Sequence, residues 1–158
     1  QQKTDPLRRA AADLLRNRID QIFMSDSRAE ILILGDFNDY PDDPSLKDVL
    51  RALPPGPNRY PGDLINTTWS LHENLSAGTV MYRGDWKVLD QIIISPGLLD
   101  THNYEWVFDS TQPFMPDYLI EQSGKYAGWP FRMYRSSTYQ GGYSDHLPIM
   151  CKLTLHGN

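Results

Sequence analysis

Five residues in three short stretches carry groups suited to acid–base or phosphoryl chemistry: Asp36 with Asn38, Asp90, and Asp145 with His146. Asp36 and Asn38 follow the apolar run Ile31-Leu32-Ile33-Leu34 and Gly35, so a buried strand ends where they begin. That end of a strand is where α/β sheets place their chemistry. Two positions apart on a strand, the pair points the same way and can act together. Asp39 falls out of phase with them. On this stretch alone, a strand-to-loop turn built from turn-prone side chains reads equally well. Asp90 lies in Val88-Leu89-Asp90-Gln91-Ile92-Ile93-Ile94-Ser95, on the face of Val88, Ile92 and Ile94. A carboxylate among such neighbours is costly unless it is paired. His146 stands in Ser144-Asp145-His146-Leu147-Pro148, just before the last alternating strand. Alone, it would read as a satisfied structural histidine.

Hydrolysis of a phosphate ester needs a positioned water, a base or orienter for it, and positive charge on the phosphoryl oxygens. Hard divalent cations supply that charge and take carboxylate and amide oxygens as ligands. The ordered set Gly35-Asp36-Phe37-Asn38, Asp90-x-Ile92-Ile93-Ile94-Ser95 and Ser144-Asp145-His146-Leu147-Pro148 resembles the C-terminal half of the endonuclease/exonuclease/phosphatase superfamily, the deoxyribonuclease-I-like enzymes. The resemblance runs from about Pro6 to Leu155. It implies that Asp36 orients or deprotonates the attacking water and that Asn38 holds a phosphate oxygen. It pairs Asp90 with His146 and favours the imidazolium, which would stabilise transition-state charge. It places Asp145 near a metal, directly or through water, with Asp36 and Asn38 completing the expected ligands. The implied ion is Mg2+ or Mn2+, and Ser144 would fix the turn.

The implied fold class is α/β (α+β), a four-layer α/β/β/α sandwich of mixed, mostly antiparallel sheets with flanking helices. Residues 1–158 would form the C-terminal portion of one such domain, with the N-terminal half absent. That half brings an early asparagine, a glutamate metal ligand and a strand-borne histidine, none of which can be placed in this sequence. The expected partner is therefore the missing N-terminal half, and this portion alone is expected to be inactive. Half of a sandwich would expose an apolar sheet face. The activity implied is metal-dependent phosphoester hydrolysis, foremost by a phosphodiesterase or nuclease. Within enzymes the alternative is a phosphatase or a sphingomyelinase-like lipid phosphodiesterase. The alternative from another class is a noncatalytic binding module, disfavoured because all five C-terminal positions are present. The substrate would be nucleic acid, a phosphorylated small molecule or a lipid head group.

Bulk composition bounds these readings. The chain has 158 residues, 40% hydrophobic and 22% charged, which suits one globular domain with a substantial core. The net charge of −5 weakens a broad grip on duplex DNA, whose binders are basic over their footprint. Apolar runs are too short to span a membrane, and the polar start Gln1-Gln2-Lys3 shows no signal pattern. It leaves localisation open. The single Cys151 excludes an internal disulfide and reads as a small buried hydrophobe.

The elements follow from the patterning. Asp5-Pro6 opens a helix whose apolar stripe holds Leu7, Ala11, Leu14, Leu15, Ile19, Ile22 and Phe23, with the arginines on a solvated face. A short helix is expected from Pro44 or Ser45 to about Ala52, then an irregular Leu53–Asn58. Gly78–Tyr82 and Val88–Ser95 are expected to form a hairpin around Arg83-Gly84-Asp85-Trp86. Trp106–Phe108 reads as a strand. The aromatic-rich segment from Asp109 to Gly142 is either a packed excursion or a wall of the substrate cleft. Asn66-Thr67-Thr68-Trp69 forms an N-x-T acceptor pattern and is a candidate cleft lining, whereas His72, His102 and His156 read as surface residues.

Overall fold

The computed structural model describes residues 4–57, 60–74 and 78–157. Helix α1 spans Asp5–Ser25, with Pro6 in its first turn. Thr4 takes the cap position expected of Asp5, which instead ion-pairs with Arg9 at 2.8 Å one turn on. The helix buries Ala12, Arg16 and Ile19, flanked by the half-buried Leu15 and Phe23. Leu7 and Leu14 are 72% and 73% exposed, so the apolar stripe is rotated from the expected one. Two of the arginines are not solvated. Arg16 is buried, ion-paired with Asp20, and donates to the Gly62 carbonyl at 2.9 Å. Arg8 pairs with Asp39 at 2.6 Å. A long side chain can thus stitch a helix to a loop through its charged head while its stem packs.

After α1 come β1 (Leu32–Asp36), a single helical turn (Ser45–Val49), β2 (Ala52–Leu53), β3 (Leu64–Asn66), α2 (Trp69–Glu73), β4 (Val80–Tyr82), β5 (Asp85–Lys87) and β6 (Asp90–Ile94). The central sheet has the order β1-β6-β3-β2, parallel only between β2 and β3. Leu53 ends β2, and the chain is irregular from there to Pro57; Asn58 lies outside the described residues, as do Gln1–Lys3. The hairpin expected between Gly78–Tyr82 and Val88–Ser95 is instead β4 with β5, closed by Arg83 and Gly84, both at positive φ. Two such residues in succession suit the tight hairpin turn that matches strand twist. This frees β6 to enter the sheet between β1 and β3.

Strand β6 is buried on both faces, which is why Ile92, Ile93 and Ile94 follow one another without alternation. Ile93 joins Ile19, Leu46, Leu50 and Leu64 in the core beneath α1. Ile92 and Ile94 join Ile65, Leu98 and Trp106 in a second core on the opposite face. Both sheet faces therefore carry a core, while exposed leucines remain on the open edge strand β1, where Leu34 is 64% exposed beside Leu32, and on α1. The fold is mixed α+β, with mostly antiparallel pairing.

The rest of the chain supplies short strands: β7 (Tyr104–Trp106), β8 (Gln112–Pro113), β9 (Tyr134–Arg135), β10 (Thr138–Tyr139), β11 (Ile149–Met150) and β12 (Leu153–Leu155). They pair antiparallel as β7–β12, β8–β11 and β9–β10. The strand expected at Trp106–Phe108 is shifted earlier, to β7. The Asp109–Gly142 excursion is packed through its aromatics. Tyr126 meets Trp129 edge-on at 5.1 Å, Tyr134 meets Tyr139 at 5.4 Å, and Arg135 stacks on Tyr126. Cys151 is half-buried against the second core, and burial pushes its thiol pKa up, away from reactivity. Among the described residues no helix is long and apolar enough to cross a membrane.

Candidate active site

Strands β1 and β6 run antiparallel so that Asp36 lies directly opposite Asp90 at the end of the ladder. The pairing follows from two apolar runs of matching length, Leu32–Leu34 against Ile92–Ile94. His146 reaches the same point from another direction. Its backbone bridges Val80 of β4, and Leu147 N donates to the Thr79 carbonyl at 2.7 Å. The Ser144 hydroxyl accepts from His146 N at 3.1 Å and shapes the turn. The His146 Nδ1 lies 2.8 Å from Asp90 Oδ2. Ligand-capable atoms of Asp36, Asp90 and His146 fall within 4.8 Å of one another.

Asn38 closes the other side. Its backbone N–H donates to Asp36 Oδ1 at 2.8 Å and its amide Nδ2 to Asp36 Oδ2 at 3.2 Å, with the backbone in the left-handed region at φ 52°. Asparagine is among the residues that tolerate that region best. Asn38, Asp145 and His146 share a cleft of about 460 Å3 with Tyr40, Lys87 and Arg132, a size typical of small-molecule sites. Asp145 lies outside the 4.8 Å group but close enough for its charge to act on the His146 ring.

Hydrogen bonding to Asp90 is the main cause raising the His146 pKa above its ordinary 6.5; burial opposes this, and the carboxylates of Asp90, Asp36 and Asp145 reinforce it. For Asp90, burial works against the charged form, but the bonds to His146 and Thr79 outweigh it and hold the carboxyl below its ordinary 3.8. Both shifts favour the imidazolium–carboxylate form of the pair. Three carboxylates face one imidazolium, and this surplus of negative oxygens suits a hard cation. The fit is sound for Asp36, which is exposed and carries the Asn38 amide beside it. Asp90 is committed to the histidine.

A family model described as the endonuclease/exonuclease/phosphatase family matches residues 1–155. The chain belongs to that family. Its members are generally hydrolases of phosphate esters and generally depend on divalent metal, which agrees with the Asp/His group here. No curated protein matches the chain.

In this family member the strand-end loop is held by residues outside the reacting set. Asp39 is 2% exposed, paired with Arg8 of α1 and accepting from the Ser45 hydroxyl. Asp39→Ala would remove the buried carboxylate that both Arg8 and the Ser45 hydroxyl bond, and we expect a loss of about 1–3 kcal/mol of stability by chemical denaturation. The exposed Asp48→Ala should change stability by less than about 0.5 kcal/mol; equal midpoints for both variants would show that the Arg8–Asp39 link bears no load.

Gln91, next to Asp90, is wholly buried. Its amide nitrogen donates to the carbonyls of Asp39 and Val88, and its oxygen accepts from Asn66 and Thr68. This satisfied network ties the Asp36–Asp39 loop to the ends of β3 and β6. Asn66 and Thr68 are thus interior groups, while Thr67 and Trp69 line a separate cavity with Phe108 and Asp109 rather than the His146 cleft; Asn66 at 0% exposure is no glycan acceptor in the folded chain. The sequence signal for Gln91 was a polar residue inside an apolar strand, on the face opposite Asp90. Arg132 was also missed; it is one of three cations in the aromatic loop, with Lys125 and Arg135, and nothing in the sequence sets it apart. Gly142 permits the approach to Ser144, since a Cβ there would meet the Phe131 carbonyl oxygen at 2.1 Å. The other histidines lie elsewhere: His72 with Asp42 at 3.1 Å, His102 with Arg28 and His156 with Glu105, each at 2.8–2.9 Å.

Proposed function

We propose that this chain carries the catalytic C-terminal portion of a metal-dependent phosphoesterase, with Asp36, Asn38, Asp90, Asp145 and His146 as its site. The observation that carries the reading is the 2.8 Å Asp90–His146 pair standing beside Asp36 and its bonded Asn38. Asp36 orients the attacking water and accepts its proton as the new O–P bond forms. The Asn38 amide holds a phosphoryl oxygen. Asp90 fixes the His146 ring through Nδ1, so that Nε2–H faces the charge that develops as the ester P–O bond breaks. Asp145 helps to orient the nucleophile. Mg2+ or Mn2+, held by Asp36, Asn38 and Asp145, would supply positive charge to the phosphoryl oxygens when bound.

Those three side chains give few fixed oxygens for a hard cation. In this reading a further carboxylate comes from an N-terminal half of the same domain, which covers the exposed leucines of β1 and α1 and without which residues 1–158 hydrolyse little. The phosphodiesterase or nuclease reading leads on the order of the motifs. The phosphatase reading is favoured by the small cleft and by the excess of 20 acidic over 15 basic residues. The test is hydrolysis of nucleic acid, sugar phosphate and lipid phosphodiester by the intact protein and by residues 1–158, with Mg2+, Mn2+ or chelator. We expect chelator-sensitive turnover of one class by the intact protein; no turnover of any class would leave the binding-module alternative.

A further inference from the structure

We propose that Arg132 and Lys87 form an anion subsite in the cleft, and that the substrate is a small molecule bearing a second phosphate besides the ester that is cleaved. The inference rests on the phosphoesterase reading and names its substrate class. In an acidic chain, arginines find carboxylates readily: Arg8, Arg9, Arg16, Arg51 and Arg135 each pair with one. Arg132 does not. It lines the same cleft as Asp145, yet among the described residues it makes no ion pair, and its Nε is buried without a hydrogen-bond partner. Buried donors are almost always satisfied, so an unpartnered one calls for an explanation, and on a cleft wall a ligand supplies it.

The hold on Arg132 is visible in the backbone. On one side of Arg132, Phe131 N donates to Leu119 O at 2.7 Å, and Phe131 O accepts from Tyr143 N at 2.6 Å. On the other side, Met133 O accepts from Gln140 N at 2.8 Å. The backbone that carries Arg132 is thus fixed on both sides, and the planar fork of a guanidinium suits phosphate. Lys87 reaches the cleft from β5; its one carboxylate contact is the exposed Asp85 at 3.7 Å, too loose to compete with a phosphate. The cleaved phosphate is addressed by His146 and Asn38, so these two cations are left for a different group on the same molecule.

The test is calorimetric binding to the intact protein with Mg2+, on a His146→Ala background so that the probes survive. The probes are pyrophosphate, 2,3-bisphosphoglycerate and fructose 1,6-bisphosphate, each against its monophosphate counterpart: inorganic phosphate, 3-phosphoglycerate and fructose 6-phosphate. At least one bisphosphate should bind about tenfold tighter than its counterpart, and Arg132→Ala should abolish that margin. Arg132→Lys should keep part of it. Lys87→Ala, which removes a half-buried side chain with no buried ion pair, should reduce it even if Arg132→Ala folds poorly. Equal affinities within every pair of probes, or a margin that survives both alanine variants, would overturn the subsite. Turnover of monophosphates without any margin would sink the subsite alone. A margin in a protein whose wild type cleaves no phosphate ester would instead sink the esterase reading and leave the subsite standing.

Discussion

His146→Ala in the intact protein is expected to lower kcat by about 10²–10³-fold, the loss that follows removal of one preorganised donor to developing charge. The substitution also strips Asp90 of its partner, so stability should fall by about 1–3 kcal/mol. The pH profile separates this role from a structural one. Because the His146 pKa is raised, kcat should fall on the alkaline side, as pH rises through a value above 6.5. Asp90 is the chief cause of the raise, so Asp90→Asn should move that limb to lower pH. Stability has its own signs. The raised histidine stabilises the fold fully below 6.5, and that contribution is lost as pH rises through the folded value. The lowered Asp90 stabilises it above 3.8, and that is lost as pH falls. The pair therefore supports the fold best between those limits. An alkaline limb that stays put in Asp90→Asn, with kcat near normal in His146→Ala, would remove both residues from the mechanism.

Asp36→Asn is expected to cost more, about 10²–10⁴-fold in kcat, since it removes a proton acceptor and weakens cation binding together. The change is isosteric, and the remaining amide oxygen can still accept the Asn38 backbone N–H that Asp36 Oδ1 accepts at 2.8 Å. The loop should therefore keep its shape, and the loss should report charge. The Mg2+ concentration for half-maximal activity should rise as kcat falls. Unchanged metal activation together with near-normal kcat would mean that another carboxylate does this work.

The reacting residues were legible because each interrupts a pattern. Asp36 and Asn38 end an apolar strand, Asp90 breaks into another, and His146 precedes a third. What joins them was less visible. Periodicity defines a helix but not which stripe faces inward, so Leu7 and Leu14 read as core while Arg16, an anchoring residue, read as solvent. Alternation marks strands but not their partners, and β6 was assigned to a neighbour in sequence rather than to β1 across the sheet. Gln91 and Asp39 act through buried bonds to distant backbone, which only the closed fold supplies. Asp109–Gly142 was readable as a packed excursion from its rings, yet the one side chain it lends to the cleft, Arg132, stood out from no pattern.

The in-register meeting of Asp36 and Asp90 has a consequence for how this protein can evolve. Like charges directly opposite on neighbouring strands work against the sheet they end. Among the described residues the imidazolium on Asp90 is the one cation that relieves that opposition, helped by the Asn38 donors on Asp36. Selection for a firmer fold would therefore act first at this spot, and the simplest stabilising changes would neutralise one of the two carboxylates. Those are the changes that silence the chemistry. Keeping both acids confines improvement in stability to positions elsewhere and leaves the end of the ladder a weak point.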